Sequence, residues 1–150
     1  MRGFRVRVAR DRDEIAAALA LREQVFCAEQ GVALEADRDG LDDQAIHVIA
    51  LDDGALVGTC RVVLEDPGVA RFGRLCVRRD ARGRGLASAL LAEAEREATA
   101  AGARRMVLHA QTSALSLYRC AGYQAEGEPF DEEGIEHLRM ARRLGGRVSR

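Results

Sequence analysis

Two glycines set among arginines, in Arg82-Gly83-Arg84-Gly85-Leu86-Ala87, are the residues whose types and spacing point most directly to chemistry. They follow a strand-like stretch from Ala70 to Val77 and open a run whose apolar positions recur at helical spacing. A helix beginning inside such a turn offers backbone N–H groups without intrahelical partners and a partial positive charge. Gly83 and Gly85 carry no Cβ, so a bulky anion can approach the main chain, and the ligand expected is a diphosphate. The Lys and Ser/Thr of a P-loop are absent, and all 23 basic residues of the chain are arginine. A dinucleotide fingerprint would need a third glycine at Ser88 and an acidic residue after the next strand, which ends in His109-Ala110-Gln111.

Arg78, Arg79, Arg82 and Arg84 surround this turn, and attraction to phosphates explains them best. A nucleic-acid surface is the alternative, but the cluster lacks interleaved aromatics and the chain has a formal net charge of −1. The three histidines, His47, His109 and His137, show no metal-ligand spacing. Cys27, Cys60, Cys76 and Cys120 form no Cys-x-x-Cys pair, so neither zinc nor a disulfide framework is expected. No apolar run approaches the roughly 20 residues of a membrane span, and because Met1-Arg2-Gly3-Phe4 leads straight into alternating residues no signal peptide is expected. The expectation is one cytoplasmic domain over residues 1–150, with a frayed tail from about 145. Oligomeric state is left open, a homodimer included.

The elements that must position these residues follow from pattern. Phe4 to Val8 alternates as a half-exposed strand, and Asp11 with Glu14 resembles a capping box opening a helix through about Ala28. Ile15, Leu19 and Phe26 supply part of its buried stripe. Glu29 to Asp43 reads as a long acidic loop, and such loops are often functional. Ala45–Leu51 and Ala55–Leu64 are strands joined around Asp53-Gly54, and Asp66-Pro67-Gly68 turns into the next strand. The central helix should bury Leu86, Leu90, Leu91, Ala94 and Ala98 and end at Gly102. Met106-Val107-Leu108 then requires a parallel crossover. A short helix over about Ser113–Ala121 and two strands, Gln124–Phe130 and Ile135–Arg142, flank the acidic turn Asp131-Glu132-Glu133-Gly134. The fold class is α+β, a mixed, mostly antiparallel sheet of about seven strands with flanking helices.

Arg82, Gly85 and Ala87 fit the Arg/Gln-x-x-Gly-x-Gly/Ala pattern of the GNAT superfamily of N-acetyltransferases, which the chain resembles. Ala114-x-x-Leu117-Tyr118-x-x-x-Gly122-Tyr123 resembles the superfamily's second marker, and Phe72, Leu75 and Val77 its Leu-x-x-Leu-x-Val strand. Leu21-Arg22-x-x-Val25-Phe26-x-x-Glu29-Gln30, Asp42-Asp43, His47, Gly73-Arg74, His109-Ala110-Gln111 and Gly134-Ile135-x-His137-x-x-Met140 resemble the ElaA-like branch over nearly the whole chain. The resemblance implies a GNAT fold and acetyl-coenzyme A as the cofactor. Its pyrophosphate would lie on Arg82, Gly83, Arg84, Gly85, Leu86, Ala87 and Ser88, and its pantetheine along Leu75, Cys76 and Val77. Tyr118 would sit beside the coenzyme and protonate the departing thiolate, a transfer that phenol and thiol acidities allow; the other reading is core packing. Gln111 stands where relatives carry Asn.

The implied function is transfer of an acetyl group to an amine of a small molecule or peptide, by direct attack in a ternary complex. A coenzyme-A-binding regulatory module without turnover is the alternative. It is favoured by Arg71 standing where many relatives place a glutamate base, and Tyr118 argues against it. Without that glutamate, candidates for the base are Glu29, His47 and His137. Glu29 leads if desolvation raises its pKa. Arg22 and Arg74, with Arg61, surround the expected cleft and could grip an acceptor anion; ion pairing with Glu29, Asp42 or Asp43 is the alternative.

Overall fold

The alternating residues at the start of the chain form β1 (Phe4–Val8), paired antiparallel with β2 (Ile46–Asp52). The structure is a computed structural model that describes residues 3–145; the leader reading at Met1-Arg2 and the frayed tail at 146–150 lie outside the described residues. Asp11 caps α1 (Arg12–Arg22) by accepting from the Glu14 N–H at 2.9 Å. Glu14 completes the cap differently from a standard box, accepting from the Arg10 N–H at 2.7 Å and from the Arg7 guanidinium. That bond with Arg7, followed by the Arg10 N–H, lowers the Glu14 carboxyl to about 2.

The helix continues without a break as a π-helical stretch, Glu23–Glu29, so its reach is as expected but its face is not. Ala18 and Leu21 of α1 and Val25 of the π-helical stretch are the apolar residues buried most fully along it. Ile15, Leu19 and Phe26 are only half-buried. The loop expected over 29–43 contains a short helix, α2 (Leu34–Asp37), and is followed by a 3₁₀ turn at Asp42–Gln44.

β2 and β3 (Ala55–Leu64) are joined by Asp53-Gly54, both with positive φ, which is the twist that a two-residue hairpin needs. β4 (Val69–Val77) follows, then α3 (Leu86–Ala100) and β5 (Arg105–Gln111). α3 buries Leu86, Leu90, Leu91, Ala94 and Ala98 as its period predicts, and Gly102 ends it at φ +98°. Each buried leucine contributes about 1.5–3 kcal/mol by leaving water. α4 (Leu115–Cys120), β6 (Gln124–Ala125), β7 (Phe130–Glu132) and β8 (Ile135–Arg143) complete the chain.

The sheet runs β1-β2-β3-β4-β5-β8-β6, with β7 also on β8, and only the β4–β5 pair is parallel. Eight strands replace the expected seven because Gln124–Phe130 is broken in two. Gly127 turns at φ +89°, and Pro129 has no N–H to give a ladder. No helix among the described residues is long and apolar enough to cross a membrane.

Candidate active site

The site originates in a mismatch within β4. Arg61 faces Gly73 across the β3–β4 ladder while Thr59 faces Cys76, so β4 holds one extra residue at Arg74-Leu75. Arg74 absorbs it at φ +56°, a left-handed conformation unusual for a residue with a side chain. β4 and β5 pair only from Val69–Phe72 against Arg105–Leu108. Beyond those residues β5 continues on β8, and the two parallel strands part. A cleft of about 590 Å³ fills the gap, lined by Leu75 of β4, Gln111 of β5, Tyr118 of α4 and His137 of β8, among others. Gln30 and Asp39 close it from the α1–β2 segment.

Tyr118 is buried, its ring edge-on to Phe72 at 6.2 Å and to Tyr123 at 6.0 Å. Burial, with a smaller effect from Cys60, raises the phenol's pKa, so it remains a proton donor at any ordinary pH. Cys76 turns away from the cleft to pack with Leu21 and Val25. Burial pushes its thiol up to about 12, far from a nucleophilic thiolate. Only its main chain is available to a ligand.

At the end of β4 the turn into α3 has the geometry an anion requires. Gly83 and Gly85 adopt φ +80° and +82°, and a Cβ built on either meets nothing within 4 Å. No side chain caps α3, and its first turn holds no acid, so no side chain competes for its leading N–H groups. Leu86 is buried and can offer only its backbone, whereas Ser88 is exposed. The residues present therefore fit a diphosphate. Arg82 donates to the Val77 carbonyl at 2.8 Å and to both Glu29 oxygens, at 2.8 and 3.0 Å. Arg84 pairs with Asp52 at 2.8 Å and lies over the Phe4 ring. Because Gln30 lines the cleft while Glu29 holds Arg82, turn and cleft are adjacent.

The other candidates separate. Glu29 does not line the cleft, and the Arg82 hydrogen bond lowers its pKa, contrary to the raised value expected of a base. His47 is buried outside the cleft, where its Nε2–H donates to the Asp42 carbonyl at 2.9 Å. His137 does line it. Its Nδ1–H donates to the Ile135 carbonyl at 2.7 Å, which leaves Nε2 as the acceptor in the neutral ring. Glu132 Oε1 lies 3.8 Å from that Nε2 and 3.4 Å from His109 Nδ1, and Phe130 packs against both imidazoles. Glu132 was visible in the sequence only as part of an acidic turn.

Arg22, expected to touch substrate, is fully buried. It binds Asp37 at 3.2 Å and Asp42 at 2.7 Å. Arg61 binds Asp39 and Asp42, and Arg74 binds Asp39 at 3.1 Å, Asp37 at 3.3 Å and the carbonyls of Ala36 and Asp37. Three arginines and three aspartates thus fasten the α2 segment over β3 and β4. The Asp39 carboxyl is lowered chiefly by its Arg61 bond; at Asp42 burial opposes ionisation, but Arg22 and then Arg61 outweigh it. Arg71, in place of a glutamate, lines the cleft tied to Glu65 at 2.7 Å. Gln111 donates to the Gln30 side chain at 3.1 Å.

Comparison with known proteins gives the class to which this bulged strand, parted strand pair and uncapped helix belong. A family profile described as an acetyltransferase (GNAT) domain matches residues 8–144. The uncharacterized N-acetyltransferase YjcF of Bacillus subtilis is 32% identical over 134 residues, covering 89% of this chain and 95% of YjcF. The crystal structure of a candidate N-acetyltransferase from Lactobacillus plantarum superposes with a TM-score of 0.85 at 30% identity, covering 95% of this chain and 99% of that one. Escherichia coli ElaA, at 24% identity and a TM-score of 0.81 over 95% and 99% of the two chains, shares the fold. The chain belongs to the GNAT family and is a GNAT-type N-acetyltransferase.

Proposed function

We propose that the protein moves an acetyl group from acetyl-coenzyme A to an amine of a small molecule or peptide by direct attack in a ternary complex. The observation that carries this reading is the β4–β5 cleft itself, with Leu75 on one wall and the Tyr118 phenol on another, next to the open α3 turn. The coenzyme supplies an activated thioester. Gly83, Gly85 and the leading amides of α3 would hold its pyrophosphate, with Arg82, Arg84, Ala87 and Ser88 around it. Leu75, Cys76 and Val77 would offer main-chain groups to the pantetheine, and Gln111 its side chain.

In the reaction a C–N bond forms and the C–S bond breaks. His137 Nε2 takes the proton that the acceptor ammonium must lose, in preference to Glu29 or His47. Tyr118 gives its phenolic proton to the departing thiolate and is reprotonated through solvent, which takes up the second proton that the nitrogen loses as the C–S bond breaks. Replacing Gly83 and Gly85 together by valine should abolish measurable acetyl-coenzyme A binding in calorimetry, because branched side chains would fill the space over the amides and strain positive-φ positions. Unchanged affinity in the folded double variant would remove the coenzyme from this turn.

A further inference from the structure

We infer that the acceptor is a small amine bearing a second positive charge and no carboxylate, a diamine in chemical class. This rests on the acetyl-transfer reading above. The cleft is lined by five carboxylates, Asp37, Asp39, Glu65, Glu132 and Glu133, against three guanidiniums, Arg61, Arg71 and Arg74. Every one of those guanidiniums already has a carboxylate partner: Arg61 and Arg74 share Asp39, and Arg71 holds Glu65. A carboxylate on the acceptor would have to share a guanidinium whose charge a protein carboxylate already offsets, and even with Asp37 neutralised by Arg22 the remaining four carboxylates of the lining outnumber its three guanidiniums.

The opposite wall offers what a cation needs. Among the described residues no arginine lies within ion-pair distance of Glu132 or Glu133. Glu132 has the two imidazoles as its neighbours, at 3.4 and 3.8 Å, and is itself exposed, so it can attract a cation at low ionic strength and loses that attraction as salt is added. Glu133 occupies the tip of the β7–β8 hairpin at φ +53°, followed by Gly134 at +76°. A turn of this twist favours asparagine or glycine at that position. A glutamate there lends the turn no local advantage, yet it places a carboxylate on the rim of the cleft. The reacting nitrogen passes its proton to His137, and the second nitrogen remains an ammonium facing Glu132 and Glu133.

The test is kcat/KM for acetyl transfer to three four-carbon acceptors that differ only at the far end: 1,4-diaminobutane, butylamine and 4-aminobutanoate. The diamine should exceed butylamine by about tenfold at low ionic strength and the amino acid should fall about tenfold below it, the differences shrinking with added salt. In Glu132→Gln/Glu133→Gln the diamine should fall to parity with butylamine. Glu133→Gln alone, at an exposed turn tip, should lose part of that advantage if the double variant does not fold. A diamine no better than butylamine, or 4-aminobutanoate as the best acceptor, overturns this inference and leaves amine acetylation standing. Turnover of none of the three, with acetyl-coenzyme A still bound, overturns the inference and leaves a peptide amine as the acceptor.

Discussion

Glu29 and His137 were alternatives in the sequence because both are basic groups near segments expected to wall the cleft. Their difference is one of partners. Glu29 grips Arg82 and stays ionised with little basicity, whereas His137 lines the cleft with Nδ1 bonded to the Ile135 carbonyl and Nε2 3.8 Å from Glu132. The pH dependence of kcat/KM should therefore separate them. Activity falls on the acid side as the base becomes protonated, and that limb should vanish in His137→Ala but survive in Glu29→Gln. Its loss in Glu29→Gln alone would reverse the assignment, and its survival in both would ascribe it to the acceptor amine. Composition and spacing showed that arginines and acids would meet here. They could not show that Arg22 would be sealed against Asp37, because the pairing depends on where a fifteen-residue-distant helical turn is folded back.

At the scale of elements, the most legible parts were those governed by local rules. α3 was readable from its apolar period and its glycines at each end, and the Asp53-Gly54 hairpin from turn chemistry. The β4 bulge was not, because Arg74 takes a left-handed conformation that sequence would assign to glycine, held there by contacts from the α2 segment. The π-helical extension of α1 was equally hidden: its residues suit an ordinary helix, and its buried Val25 meets Leu21 and Cys76, contacts that no local pattern announces. That segment depends on the arginine–aspartate network. Arg22→Ala leaves Asp37 buried with only Arg38 and Arg74 nearby, and should cost about 3–5 kcal/mol in urea unfolding at neutral pH. Asp42 has a depressed pKa in the fold, so its contribution is present above the unfolded carboxyl value of about 3.9 and disappears as pH falls through the folded value. The gap between wild type and Arg22→Ala should accordingly narrow below about pH 4. A loss under 1 kcal/mol at neutral pH would show that the network is dispensable.

Taken as a whole, the molecule joins two half-sites across one parted strand pair. α3 begins at a glycine turn with no side-chain cap, while α4, β5 and the β7–β8 hairpin bring Tyr118, Gln111, Glu132 and His137 to the cleft. Glu29-Gln30 links the halves, one side chain on Arg82 and the next on Gln111. The overall α+β order and the glycine turn that opens α3 were legible from sequence because both are written in short motifs. The His109–Glu132–His137 wall of the cleft was not, since it assembles from segments more than 20 residues apart, such as His109 and Glu132. The most direct measurement is acceptor-dependent thiol release from acetyl-coenzyme A in single turnover, comparing wild type with Tyr118→Phe. Wild type should release thiol only with an amine present, and the variant should bind coenzyme normally yet react about 10²-fold or more slowly. Thiol release indifferent to the amine, or an undiminished rate without the phenol, would contradict acetyl transfer through this cleft.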